Sequence, residues 1–255
     1  MWPYPRIIAH RGGGTLAPEN TLAALRCGLK HGFRAVEFDV MLSKDKAPVV
    51  VHDDRLGRTL AGAGGIADYT YGELAAMDAG SWFGGEFAGE PVPSLEQVWQ
   101  FCMRQRIWMN IEIKPVPGYE EETGAVVAEM ASGWLAELQR QAQPLEEHAL
   151  PLFSSFSVAA LRAAKSIAPG IARAVLMNPL ASDWRAKLEL AALDAVAVHA
   201  HHASLTREQA AAVKQAGFGL FCYTVNDPVR AKELLAWGAD AICTDRIDLI
   251  GPDFR

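Results

Sequence analysis

Glu37 and Asp39 stand two apart in the apolar run Ala35 to Leu42, and Glu112 and Lys114 repeat that spacing after Ile111. Side chains alternate along an extended strand, so each pair projects to one face. Buried carboxylates are costly unless paired or metal-bound, and three that converge repel one another. One hard divalent cation, Mg2+ or Ca2+, resolves that conflict, because it takes oxygen ligands and leaves positions for water or a phosphate oxygen. Either pair alone is explained equally by ordinary ion pairing; the convergence of three carboxylates is what points to a metal. His10 ends the first apolar run and His52 the third. Two near-neutral imidazoles beside one metal are suited to giving and taking protons. Arg11 and Lys114 supply fixed positive charge, either to bind a phosphate or to offset Glu37, Asp39 and Glu112.

Such residues must be brought together by the elements that carry them. Short β-rich runs occur at Arg6 to His10, Ala35 to Leu42, Ala47 to His52, Ile107 to Ile113, Leu150 to Phe156, Ile171 to Met177, Asp194 to His199, Gly217 to Val225 and Ala239 to Thr244. Helical patterns separate most of them. Leu22, Leu25 and Leu29 form one stripe; Ser94 with Gln97, Ser157, Thr206 with Gln209, and Asp227-Pro228 read as helix starts, and Gly217 and Gly238 as stops. Repeated strand–helix units imply parallel strands, and about eight units in about 250 residues imply a closed α/β barrel, the TIM (β/α)8 architecture. The surplus run, Ala47 to His52, follows too closely for a helical crossover and is expected as a hairpin arm. A four-residue turn, Lys44 to Ala47, would set Ser43 opposite Pro48 and Asp39 opposite His52. Residues from about Asp54 to Pro93 form a small inserted subdomain over the strand ends, with a short helix near Glu73 to Met77. The expectation is a single barrel domain over 1–255.

The chain is 255 residues long, 50% hydrophobic and 21% charged, with a formal net charge of −6. This supports a large core and argues against a nucleic-acid or anionic-membrane footprint, which requires a basic face. No run is long and apolar enough for a membrane span and no secretory leader is visible, so a cytoplasmic location is expected. Cys27, Cys102, Cys222 and Cys243 are widely spaced in apolar segments and read as buried free thiols. Gly12, Gly14 and Ala17, with Glu37 downstream, match dinucleotide-binding spacing, but His10-Arg11 intervenes and Pro18 delays the helix. The glycines are instead expected to let backbone approach a ligand.

Taken in order, His10-Arg11-Gly12, Pro18-Glu19-Asn20-Thr21, Glu37-Phe38-Asp39-Val40, Val51-His52-Asp53-Asp54, Ile111-Glu112-Ile113-Lys114, Ser154-Ser155-Phe156, Thr224-Val225-Asn226 and Thr244-Asp245 resemble the glycerophosphodiester phosphodiesterase family. The opening Trp2-Pro3-Tyr4-Pro5, Asp78-Ala79-Gly80-Ser81-Trp82 and Ile247 to Pro252 are most like its bacterial cytoplasmic UgpQ-type enzymes. The resemblance implies a barrel of the phospholipase C-like phosphodiesterase type. It implies metal ligation by Glu37, Asp39 and Glu112, acid/base work by His10 and His52, and phosphate binding by Arg11 and Lys114. Trp82, Phe83, Phe156 and Tyr223 are candidates for the substrate wall, or for barrel and lid packing. The implied reaction is hydrolysis of small glycerophosphodiesters such as glycerophosphocholine or glycerophosphoethanolamine to an alcohol and sn-glycerol 3-phosphate. A barrel phospholipase or lyase acting on a lipid headgroup is the enzymatic alternative, and a non-catalytic phosphate- or metal-binding barrel the other. The resemblance leaves oligomeric state and preferred alcohol open. His199, His201 and His202 are read as rim residues or an adventitious metal site.

Overall fold

The computed structural model describes residues 2–140 and 150–255; Met1 and residues 141–149, which the single-domain expectation also spans, lie outside the described residues. Among the described residues, nine strands occur in the order β1 (Ile7–Ala9), β2 (Ala35–Leu42), β3 (Pro48–Val50), β4 (Trp108–Ile113), β5 (Leu152–Ser155), β6 (Ala172–Met177), β7 (Ala197–His201), β8 (Gly219–Tyr223) and β9 (Ala241–Thr244). Eight are parallel and close through β1, which pairs with both β2 and β9, while β3 is antiparallel to β2. Among the described residues the α-helices are α1 (Leu22–Lys30), α2 (Tyr71–Ala75), α3 (Leu95–Gln105), α4 (Glu120–Arg140), α5 (Val158–Ile167), α6 (Trp184–Ala191), α7 (Arg207–Gln215) and α8 (Pro228–Ala236). The architecture is the expected α/β barrel. Helix starts follow the cap chemistry: the side chains of Thr21, Ser94, Ser157, Thr206 and Asp227 each accept a first-turn backbone N–H.

Two layers of apolar packing hold the barrel. Outside, the outward faces of the strands meet the helices, with Phe38, Ile111, Phe153 and Leu220 among the buried side chains. Inside, Ile8, Ala35, Trp108, Leu152, Ala174, Ala197 and Phe221 fill the lumen. The N-terminal segment closes the lower end: the Tyr4 ring stacks on Trp108 at 4.8 Å and Trp2 lies 6.3 Å from Phe221. The opposite end, at the C-terminal ends of the strands, is where barrel enzymes carry their chemistry.

Apart from β2, which matches its β-rich run, and β7, the strands are one or two residues shorter at one or both ends than expected. The hairpin, β7 and the short helix differ for local reasons. The hairpin turn has three residues between Ser43 and Ala47: Ser43 N–H donates to Ala47 O, Lys46 N–H donates to Ser43 O, and Lys46 takes a left-handed conformation (φ 64). An odd turn shifts the register by one, so Leu42 faces Pro48 and Asp39 lies opposite Val51, whose N–H donates to Asp39 O at 3.1 Å. His52 therefore stands one residue beyond Asp39's partner, where the chain leaves the ladder. β7 begins at Ala197 rather than Asp194, because Ala192 and Asp194 are both left-handed (φ 49) in the preceding turn. The short helix starts at Tyr71, since Glu73 closes a capping box on Thr70.

Residues 54–93 connect β3 to α3 and build a small apolar cluster of Leu60, Ile66, Leu74, Ala79 and Val92 on Met41, Val49 and Val51. Cys102, Cys222 and Cys243 are buried free thiols, whereas Cys27 is only partly buried, since its α1 position faces outward.

The glycine turn after β1 approaches protein rather than ligand. A Cβ on Gly14 (φ +55) would sit 2.0 Å from Asp245 O, and one on Gly28 of α1 would sit 2.3 Å from Gly12 O. The Gly14, Thr15 and Leu16 N–H groups donate to His10 O, Asp245 O and Gly13 O. Spent donors cannot cradle a pyrophosphate, which removes the dinucleotide alternative. Because α1 rides on this turn, Gly28→Ala is expected to destabilise the fold by about 1–3 kcal/mol, the usual cost of overpacking. A urea titration reads this as a lowered midpoint; an unchanged midpoint would show that α1 can move away.

Candidate active site

β2 and β4 run in register, with Glu37 opposite Asn110 and Asp39 opposite Glu112. Their inward side chains bring Glu37, Asp39 and Glu112 together, each offering an oxygen within 4.8 Å of the others'. All three are buried, at 4%, 2% and 9% exposure, so their mutual repulsion is poorly screened by water. Burial, then the charges of Asp39 and Glu112, push the Glu37 carboxyl well above its ordinary range against the pull of Arg11. Burial and the Asp39 charge push Glu112 up to about 8, opposed by Lys114 and Arg11. Asp39 goes the other way, to about 2: burial raises it, but Lys114, Arg11, His52 and a hydrogen bond from Asn20 together outweigh burial. The donor set fits a hard divalent cation, and Glu37 Oε1 is buried with no hydrogen-bond partner.

Each histidine is held by a carboxylate. His10, just past β1, places Nδ1 2.6 Å from Asp245 Oδ1 and Nε2 3.7 Å from Glu37 Oε2. Asp245 is fixed in turn by Asn226, whose Nδ2 donates to its second oxygen at 2.8 Å. His52 places Nδ1 2.6 Å from Asp53 Oδ1. Burial lowers the His52 pKa, Asp39 raises it and Arg11 and Lys114 lower it, so despite the shifted hairpin register its ring senses the cluster. A carboxylate accepting from Nδ1–H leaves Nε2 as the working nitrogen of both rings.

The cations surround Asp39. Lys114 Nζ donates to Asp39 Oδ1 at 3.3 Å, and Arg11 Nε lies 3.6 Å from Oδ2 while Arg11 Nη1 donates to Glu19 Oε1 at 2.8 Å. Asn20 Nδ2 donates to Asp39 Oδ2 at 2.9 Å and Asn20 Oδ1 accepts the Asp39 N–H. Arg11 (φ 50) and Asn20 (φ 59) both sit in the left-handed region, where Asn is at ease and Arg is not.

Of the wall candidates, Tyr223 meets Phe156 edge to face at 6.2 Å, and burial, then the Glu112 charge, raises its phenol pKa. Phe156, 52% exposed, lines a cavity of about 360 Å³ with Glu112 and Lys114. Trp82 and Phe83 make their ring contacts with each other and on to Phe87. His199 is no rim residue. It is fully buried inside the barrel, stacked on Phe221 at 4.1 Å, and burial drives its pKa down to about 3. His201 and His202 do stand at the rim, and among the described residues the histidines join no cluster of metal-ligand geometry.

A model described as the glycerophosphoryl diester phosphodiesterase family matches residues 10–249. The chain belongs to that family. Two relatives in it are YhdW of Bacillus subtilis, 35% identical over 251 residues and 97% of each chain, and the glycerophosphodiester phosphodiesterase of Caldanaerobacter subterraneus, 32% identical over 94% of this chain and 93% of its own. Among solved structures, an Oleispira antarctica phosphodiesterase in complex with the product sn-glycerol-3-phosphate superposes with a TM-score of 0.83 at 39% identity, covering 94% of this chain and 93% of its own. The family match begins at His10 and encloses every residue of the carboxylate and histidine cluster.

The raised Glu112 carboxyl has a measurable consequence for metal-free protein. A carboxyl at about 8 when folded and near its ordinary 4.5 when unfolded binds its proton more tightly in the fold. Stability should therefore fall as pH rises from about 4.5 to about 8, and a divalent cation, which competes for the ionised form, should restore it. Thermal unfolding between pH 5 and 8 checks this: the slope should be shallower in Glu112→Gln. An identical slope would place the titrating group elsewhere.

Proposed function

We propose that this chain hydrolyses glycerophosphodiesters, glycerophosphocholine and glycerophosphoethanolamine among them, to an alcohol and sn-glycerol 3-phosphate. The observation that carries the reading is the buried carboxylate cluster set between two histidines, each anchored by its own aspartate. Glu37, Asp39 and Glu112 would hold one divalent cation, Mg2+ or Ca2+, which supplies charge stabilisation to phosphoryl oxygens and acidity to a bound oxygen nucleophile. Arg11 and Lys114 orient the phosphate and offset its charge. His10 Nε2 removes the proton of the attacking oxygen, whether from water or from the substrate's own 2-hydroxyl. His52 Nε2 delivers a proton to the departing alkoxide. Phe156 and Tyr223 form the wall near the leaving alcohol, and Trp82 and Phe83 are assigned to packing of the 54–93 insertion. The Oleispira antarctica relative's complex with the product sn-glycerol-3-phosphate supports a reaction that yields sn-glycerol 3-phosphate.

The reading treats residues 1–255 as one barrel unit acting on a small soluble substrate in the cytoplasm. The free thiols support a reducing compartment, and no described helix is long and apolar enough to cross a membrane. Incubation with glycerophosphocholine should release free choline and sn-glycerol 3-phosphate. Phosphocholine and glycerol instead would mean that the opposite ester bond is cut.

A further inference from the structure

Arg58 belongs to the insertion, yet its guanidinium reaches back to the supports of two site residues. Its Nε donates to Asp53 Oδ2 at 2.6 Å, and Nη1 and Nη2 donate to Glu19 Oε2 and Oε1 at 2.7 and 2.6 Å. The other oxygen of Asp53 holds His52 Nδ1, and Glu19 Oε1 also accepts from Arg11. One planar fork thus spans the carboxylate behind the histidine and the carboxylate behind the phosphate-facing arginine. A lysine, with a single ammonium, has no matching geometry.

The loop that presents Arg58 is itself fixed. Arg55 bridges Gly65, Leu56 N–H donates to Gly64 O, Gly57 N–H donates to Leu60 O, and Leu60 and Ile66 are buried at 2% and 0% exposure. His52 and Asp53 need such a fixed point, because β3 ends at Val50 and no ladder constrains them. The Arg58 side chain is 45% exposed. Exposed ion pairs add little to stability, so the contribution of this one lies in orientation.

We propose that Arg58 is a positioning residue for leaving-group protonation, aiming His52 through Asp53 while its Glu19 arm steadies Arg11. The insertion thereby completes the site. This rests on the reading of His52 as the proton donor.

Arg58→Ala, Arg58→Lys, His52→Ala and the Arg58→Ala/His52→Ala double variant should be assayed on glycerophosphocholine and on a glycerol p-nitrophenyl phosphodiester, whose leaving group needs no proton. Arg58→Ala should lower kcat on glycerophosphocholine by roughly tenfold or more and on the p-nitrophenyl substrate by less than about threefold, with Arg58→Lys between it and wild type. KM should rise similarly for both substrates through the Glu19–Arg11 arm. In the His52→Ala background, loss of Arg58 should not lower kcat further, whereas a merely structural role would add its own loss. Equal kcat losses on both substrates, an additive double variant, or an unchanged kcat would each overturn the proposal. If His52→Ala itself shows no leaving-group dependence, the proton-donor reading fails and the Arg58 role falls with it. If His52→Ala shows it and Arg58→Ala does not, the Arg58 role alone fails.

Discussion

Glu37→Gln, Asp39→Asn and Glu112→Gln are each expected to lower kcat/KM on glycerophosphocholine by at least ~10²-fold, because charge stabilisation worth several kcal/mol is at stake and roughly 1.4 kcal/mol is a factor of ten. The three should differ in how they affect the resting protein. Glu112 and Glu37 are held above their ordinary carboxyl range by burial and by neighbouring charge, so an amide at either position relieves repulsion and should leave the metal-free fold as stable or more so. Asp39 accepts from Lys114 and Asn20 and lies beside Arg11, and its amide would strand buried cationic and polar groups. Asp39→Asn should therefore be the least stable of the three. Titration calorimetry with Mg2+ or Ca2+ beside the kinetics checks both parts. Full activity with undiminished cation binding in any one variant would take that residue out of the ligand set.

His52→Ala is expected to lose roughly 10²-fold or more on glycerophosphocholine and far less on a glycerol p-nitrophenyl phosphodiester, while His10→Ala should hurt both. The difference follows from the assigned roles: an acid is needed only where the leaving oxygen needs a proton, and a base is needed with either leaving group. Asp245→Asn should behave as a weaker His10→Ala, since Asp245 holds the His10 ring by its Nδ1 edge. The reverse pattern would exchange the two roles. Equal modest losses from both histidine variants would mean that neither transfers a proton in the limiting step. Unchanged folding and cation binding of the variants is the control, because His10 Nε2 also lies 3.7 Å from Glu37.

What the sequence made legible was whatever a local rule decides. Alternation alone places Glu37 with Asp39 and Glu112 with Lys114 on one face, and the cap residues Ser94, Ser157, Thr206 and Asp227 mark helix starts without tertiary knowledge. The hairpin failed by one residue because both turn lengths bring strands back, and only the left-handed Lys46 distinguishes them. In the sequence the β-rich run of the seventh strand stops at His199, which makes it resemble a rim residue. The strand runs on to His201 and carries His199 into the lumen. The supports were the least visible part. Glu19, Asn20, Asp53 and Asp245 all lie inside motifs that carry the resemblance, but a motif does not name a partner: His10 and Asp245 are 235 residues apart and meet because β1 pairs with β9. Arg58 lay in no motif. An arginine five residues after His52-Asp53 was the available signal, and its meaning depends on how the insertion folds back.

The central claim is metal-dependent hydrolysis at this cluster, and one assay addresses it most directly. Protein stripped with chelator and dialysed is given glycerophosphocholine, and sn-glycerol 3-phosphate is measured before and after addition of Mg2+ or Ca2+. The expected result is no product from the stripped protein and recovery of activity on adding one of the two cations. Full turnover by the stripped protein, with metal content verified as absent, would contradict the account.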